Sequence, residues 1–179
     1  MNIEDIKKTV CLELDNLKND VMKVNASISE SYRFKITNLS KLEGLIKETK
    51  LKFPKNITVV YIFGFIKMKD SVDVYKVYKE DKLKKKSGCS TSLVPKEYFK
   101  TKSLYVGSSQ NISARLRNHF GLGKGNSTYS LHLRKVYKKE LELTLEIISL
   151  ANASNDSSQI IEDTISKHYR PLLGKRGGL

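Results

Sequence analysis

Within residues 104–119 the chain sets a tyrosine, an arginine and a histidine on what reads as two neighbouring elements. Leu104-Tyr105-Val106 is a short apolar strand, and Gly107-Ser108-Ser109 makes a turn. Asn111 is a good helix N-cap and Gly121 a good C-terminal stop. In a helix starting after Asn111, Ile112, Leu116 and Phe120 share one face, which can dock on a sheet. Arg115 and His119 stand one turn apart on a different face and are expected to look outward together. That pairing of cation-capable groups suits a phosphate.

The elements that must hold these residues can be read along the chain. Residues 3–24 and 39–50 carry helical apolar spacing, the first through Ile3, Ile6, Val10, Leu14, Leu17 and Val21. They form an expected N-terminal helical extension over residues 1–56, without recognisable chemistry. Thr58 to Ile66 is β-branched and aromatic and predicts a buried strand holding Tyr61. In residues 67–102, Val72, Val74 and Val77 with Tyr75 and Tyr78 suggest one strand or a short hairpin. A helix is expected from Ser127 through Lys139, and a period-two strand over 141–147. The last helix is expected to begin at an Asn155-Asp156 capping pair, to bury Ile161, Ile165 and Tyr169, and to stop at Pro171. Glu162 lies beside that buried stripe.

Composition narrows the function. The 179 residues carry a net charge of +14, from 33 Lys and Arg against 19 Asp and Glu. This excess favours a polyanionic partner, nucleic acid above all; a lysine-rich solvated surface is the bland alternative. The charge is densest over 57–102, which is +6. Cys11 and Cys89 make neither a disulfide framework nor a zinc pattern. Met1–Asp20 is charged throughout, unlike a secretory leader, and no apolar run approaches a membrane span. A reducing, cytoplasmic setting is expected.

The run Tyr105, Gly107, Asn111, Arg115, Leu116 and His119 resembles the second half of the GIY-YIG nuclease motif. The resemblance extends to Tyr61 as the first motif tyrosine, and to Glu162 with Pro171 nine positions on. It covers residues 57–174, with 67–102 outside it. It implies an α+β fold, a small three-stranded antiparallel sheet flanked by helices. The GIY-YIG-like domain would span 57–179, with 67–102 as a basic insertion between the first two strands. Three positions depart from the family: Val59 replaces a glycine, Ser108 a lysine and Gly174 an asparagine.

The activity implied by the resemblance is metal-dependent hydrolysis of DNA phosphodiesters. A stand-alone chain of this kind looks like a restriction or phage-defence endonuclease, bacterial or phage-encoded. Glu162 would hold Mg²⁺ (or Mn²⁺), because a hard oxygen suits a hard ion. Arg115 would contact the scissile phosphate, and His119 would orient it or pass a proton. Tyr105 is the first choice as general base, with Tyr61 the second or its hydrogen-bond partner. Lys84, Lys85, Lys86, Arg117, Lys124, Lys175 and Arg176 are the expected contacts to double-stranded DNA. A palindromic cutter would need two sites, so a homodimer is one expectation. The competing expectation is a catalytically silent DNA-binding module that retains the fold, which the substitutions at Ser108 and Gly174 favour.

Overall fold

The computed structural model describes residues 3–55, 57–124 and 129–174. In chain order these form α1 (Ile3–Lys23), β1 (Asn25–Lys35), α2 (Leu39–Lys52), β2 (Thr58–Phe65), α3 (Asp70–Lys84), β3 (Ser103–Ser109), α4 (Ile112–Phe120), α5 (Leu133–Val136), β4 (Glu142–Ala151) and α6 (Asn155–Tyr169). The architecture is α+β, with strand order β1-β4-β2-β3 and every neighbouring pair antiparallel.

Among the described residues the sheet has four strands, not the three expected. The extra strand is β1, which pairs with β4 along its length. The expected helical extension over 1–56 therefore contains a strand that belongs to the sheet. The sequence hid it because Asn25–Lys35 is largely polar, as an edge strand with one wet face can be. Its apolar anchor is Phe34, whose ring packs edge-on against Phe63 and Phe120.

Strand β2 is central and buried on both faces, which explains its unbroken apolar run. Successive side chains point to opposite faces, so Tyr61 and Phe63 look one way and Val60 and Ile62 the other. The first face joins the main core with Leu116 and Phe120 of α4. The second face packs, with Val106, against Ile161 and Ile165 of α6. Helix α4 matches its expected bounds. The Asn111 side chain accepts from Ala114 N–H, and Gly121 closes the helix in the left-handed region at φ 77°.

Five local expectations need correction. Gly107-Ser108-Ser109 continues strand β3, paired with β2, and is not a turn. Residues 70–84 are helical, not a strand or hairpin. Their buried positions Ser71, Val74, Tyr75 and Tyr78 follow helical steps, and that periodicity overrides the β-propensity of Val and Tyr. The helix expected from Ser127 to Lys139 shrinks to Leu133–Val136, and Ser127 itself lies outside the described residues. Helix α6 is capped by Ser154, whose hydroxyl accepts from Ser157 N–H, so Asn155 and Asp156 lie within its first turn. Tyr169 is 42 % exposed rather than buried.

Candidate active site

The local packing of β2, β3 and α4 builds a polar centre inside an apolar core. Tyr61 lies opposite Gly107 across the β2–β3 ladder. A Cβ on Gly107 would come within 2.7 Å of the Tyr61 hydroxyl and the Tyr105 ring, so this position must be glycine for both tyrosines to sit as they do. The two rings stack with centroids 6.2 Å apart. Arg115 reaches both from α4: Nε donates to the Tyr61 oxygen at 3.1 Å and Nη2 to the Tyr105 oxygen at 3.3 Å. Nη1 donates to Ser130 Oγ at 3.2 Å. A guanidinium has five N–H donors, so these three bonds leave two uncommitted among the described residues.

His119 does not face outward beside Arg115. It is fully buried, turned beneath the tyrosines. Leu131 N–H donates to His119 Nδ1 at 3.1 Å, which puts the ring's proton on Nε2. Nε2–H then donates to the Tyr61 oxygen, 3.0 Å away. Burial, with Arg115 nearby, drives the His119 pKa well below its ordinary value and keeps the imidazole neutral. The expectation of a second cation at this place is thereby corrected: desolvation outweighs the basicity of an imidazole with no carboxylate beside it.

Tyr61 thus receives two hydrogen bonds on one oxygen, which favours a phenolate. Burial opposes this more strongly, and the Tyr61 pKa stands well above the ordinary tyrosine value despite the pull of Arg115. Burial also works against the Arg115 charge, yet the two tyrosine oxygens outweigh it and hold the guanidinium protonated.

Glu162 comes from the other side of the sheet. Ser108 points toward α6, as its alternation with Gly107 requires, and its hydroxyl donates to Glu162 Oε2 at 2.5 Å. Burial raises the Glu162 pKa, while the Ser108 bond works in the opposite direction. Because β3 is the sheet edge, groups from the two faces can meet around it. Tyr105, Arg115 and Glu162 line one cavity of about 480 Å³ with Ser92, Leu93, Tyr129 and Gly174. Tyr61 and His119 lie behind this wall.

Gly174 also has a steric reason. Its φ is +101°, and a Cβ there would sit 3.0 Å from the Tyr105 ring. Its N–H donates to the Leu93 carbonyl at 2.8 Å, tying the segment that follows α6 to the segment that follows α3. Val59 is a fully buried core residue paired with Ser109.

The expected DNA contacts are dispersed. Lys84 and Lys86 both bind Glu80 Oε1, at 2.9 and 2.8 Å. Lys85 is exposed at the left-handed end of α3. Arg117 and Lys124 are exposed on α4 and just beyond it. None of these lines the cavity. Lys175 and Arg176 lie outside the described residues. Ser92, Leu93, Tyr129 and Ser130 were not anticipated: they carry no motif and approach Arg115 only through tertiary folding.

For a divalent cation the donor set is one carboxylate, Glu162. No group of three or more His, Cys, Asp or Glu that could hold a metal is present among the described residues. Mg²⁺ retains several waters and is commonly held by one or two carboxylates plus substrate phosphate. Glu162, at the wall of a cavity that Arg115 also lines, fits that mode and does not fit a closed, all-protein cage.

Among the described residues no helix is long and apolar enough to cross a membrane. No family model, curated protein or solved structure matches the chain.

Proposed function

We propose that this chain is a metal-dependent DNA endonuclease of GIY-YIG type, of the restriction or phage-defence kind. The observation that carries the reading is the convergence of Tyr105, Arg115 and Glu162 on one cavity from three elements and both faces of the sheet. Hydrolysis of a phosphodiester adds water oxygen to phosphorus and breaks the bond to the leaving oxygen, so charge builds on the non-bridging oxygens. Arg115 answers that charge with its two uncommitted donors, which are held in place rather than recruited at the moment of reaction. Tyr105 accepts the proton of the attacking water; this role needs its phenolate, and Arg115 is the cation that balances it. Tyr61 and His119 are positioning residues: they fix Arg115 from behind and do not touch the substrate. A bound Mg²⁺ or Mn²⁺ at Glu162 would supply Lewis-acid stabilisation of the phosphoryl oxygens. Double-stranded DNA is the partner that suits the +14 charge.

One observation favours the silent binding module instead. Ser108 stands where the family has lysine and its hydroxyl engages the single carboxylate. The two readings part in one experiment. Wild type and Glu162→Gln are incubated with supercoiled plasmid, with Mg²⁺ or Mn²⁺ and with chelator. Cutting by wild type alone, and with metal alone, supports the nuclease. Gel shifts by both proteins without cutting on several DNAs support the binding module.

A further inference from the structure

Helix α1 has no buried residue. Its apolar positions Ile3, Ile6 and Val10 recur eleven residues later as Leu14, Leu17 and Val21. An eleven-residue repeat corresponds to about 3.67 residues per turn, so both triplets fall on one nearly straight stripe. The stripe is half covered. Leu17 and Val21 are half-buried where α1 packs on α6. Ile3, Ile6, Val10 and Leu14 are between 42 % and 70 % exposed. A contiguous apolar patch of this kind marks an interaction surface.

Charge selects the occupant. Helix α1 carries five carboxylates against four lysines, in a chain of net charge +14. It is therefore a poor seat for nucleic acid and a place where two strongly basic copies can approach. The charges are also sorted. At about 100° per residue, Glu13 and Asp20 border the stripe on one side and Lys7 and Lys18 on the other. Two parallel copies set the acidic border of one against the basic border of the other, as flanking positions do in parallel coiled coils. An antiparallel pair would set like charges together.

We propose that the N-terminal half of α1 is a dimer interface that joins two copies of this chain as a parallel, in-register helix pair. Val10 and Leu14 form its apolar centre, and Glu13 of each copy pairs with Lys18 of the other. This assignment stands on the helix and does not depend on the nuclease reading. A second copy would bring a second Arg115–Glu162 cavity to the same DNA.

Sedimentation equilibrium of the full chain tests it. Wild type is expected at about twice 20.4 kDa, with concentration-dependent dissociation. Leu14→Lys should weaken association by about tenfold or more while leaving the far-ultraviolet circular-dichroism spectrum unchanged, since Leu14 is 59 % exposed in the single chain; its melt should lose the concentration dependence that dimerisation gives the wild type. Glu13→Lys should weaken it too, and the swap Glu13→Lys with Lys18→Glu should restore it. Leu14→Cys in a Cys11→Ser background should oxidise to a dimer crosslinked at position 14, which the Cys11→Ser control should not form. A monomeric wild type, a Leu14→Lys protein that stays dimeric, or a swap that fails to restore association would overturn the proposal. Each outcome is read without any DNA, so loss of the nuclease reading would not alter it.

Discussion

Two basic regions drew attention in the sequence, and the fold treats them oppositely. Arg115 is surrounded by hydroxyls: Tyr61, Tyr105 and Ser130 accept its N–H groups. Such partners orient a guanidinium without cancelling its charge. Lys82 and Lys84 in the last turn of α3, and Lys86 just beyond it, have carboxylates or carbonyls to bind instead. Lys84 and Lys86 share Glu80, whose pKa falls to about 2 through the hydrogen bonds of Lys86 and Lys84, and Lys82 donates to the Thr91 carbonyl at 3.4 Å. A count of positive residues makes 82–86 the denser site; the partners make Arg115 the more available charge for a phosphate. Neutral acceptors pre-organise a cation, whereas a nearby carboxylate competes with any incoming anion.

The comparison breaks most easily at Arg115. Arg115→Ala should lower plasmid cleavage by roughly a hundredfold to a thousandfold, the usual cost of a lost transition-state donor, with DNA affinity within a few-fold of wild type. Unaltered turnover would remove Arg115 from the chemistry. Gly107→Ala comes next. Its Cβ would press on Tyr61 and Tyr105, so the loss should be about 1–3 kcal/mol of stability, in line with overpacking. Thermal melting would register that as a drop of several degrees, at about 2–4 °C per kcal/mol for a chain of this size. A melting temperature unchanged in Gly107→Ala would show that the tyrosine pair is not sterically fixed.

Glu162 sharpens the contrast through pH. Burial raises its pKa, so the folded chain binds that proton more tightly than the unfolded chain. The fold is therefore most stable, as far as this group is concerned, below the ordinary carboxylate pKa. Stability then falls as pH rises from there through the raised value. Glu162→Gln removes that loss and should melt above wild type at about pH 7, the gap narrowing toward about pH 4. On the proposed nuclease reading cleavage should run the other way, since only the carboxylate would hold a metal, and should be lost as pH falls through the raised pKa. A Gln variant that melts below wild type at neutral pH would mean the buried charge is compensated.

The smallest effect is expected from the lysines. Lys84→Ala with Lys86→Ala should change the slope of log affinity against log salt by less than about 0.9, the amount one fully neutralised phosphate is worth. A change of twice that would show that Glu80 releases both lysines to DNA and would erase the distinction between the two regions.

Much of this was legible in the chain. The bounds of α4 follow from Asn111 and Gly121, because caps act on backbone groups a few residues away. The buried run of β2 and the alternation of β4 were equally local. Tyr105, Arg115 and Glu162 could be chosen from spacing and resemblance, and the fold brings all three to one cavity. Strand β1 was not legible, since a polar edge strand is defined by its partner β4 and not by its own pattern. The placement of His119 was not legible either. Arg115 and His119 sit one turn apart, yet a few tens of degrees of helix rotation decide which faces the cavity and which is buried and neutral.

The sequence alone determined the net charge, the helix caps, the strand periods and the residue types able to bind phosphate, all properties of near neighbours along the chain. The tertiary structure decided which of those residues meet. It joined Ser108 and Tyr105 of the edge strand to Glu162 and Arg115 on opposite faces, and required glycine at 107 and 174 to make room for the tyrosine rings. It also left the N-terminal half of α1 uncovered. Desolvation and charge pairing depend on distance in space, and that distance is set by packing between segments far apart in the chain.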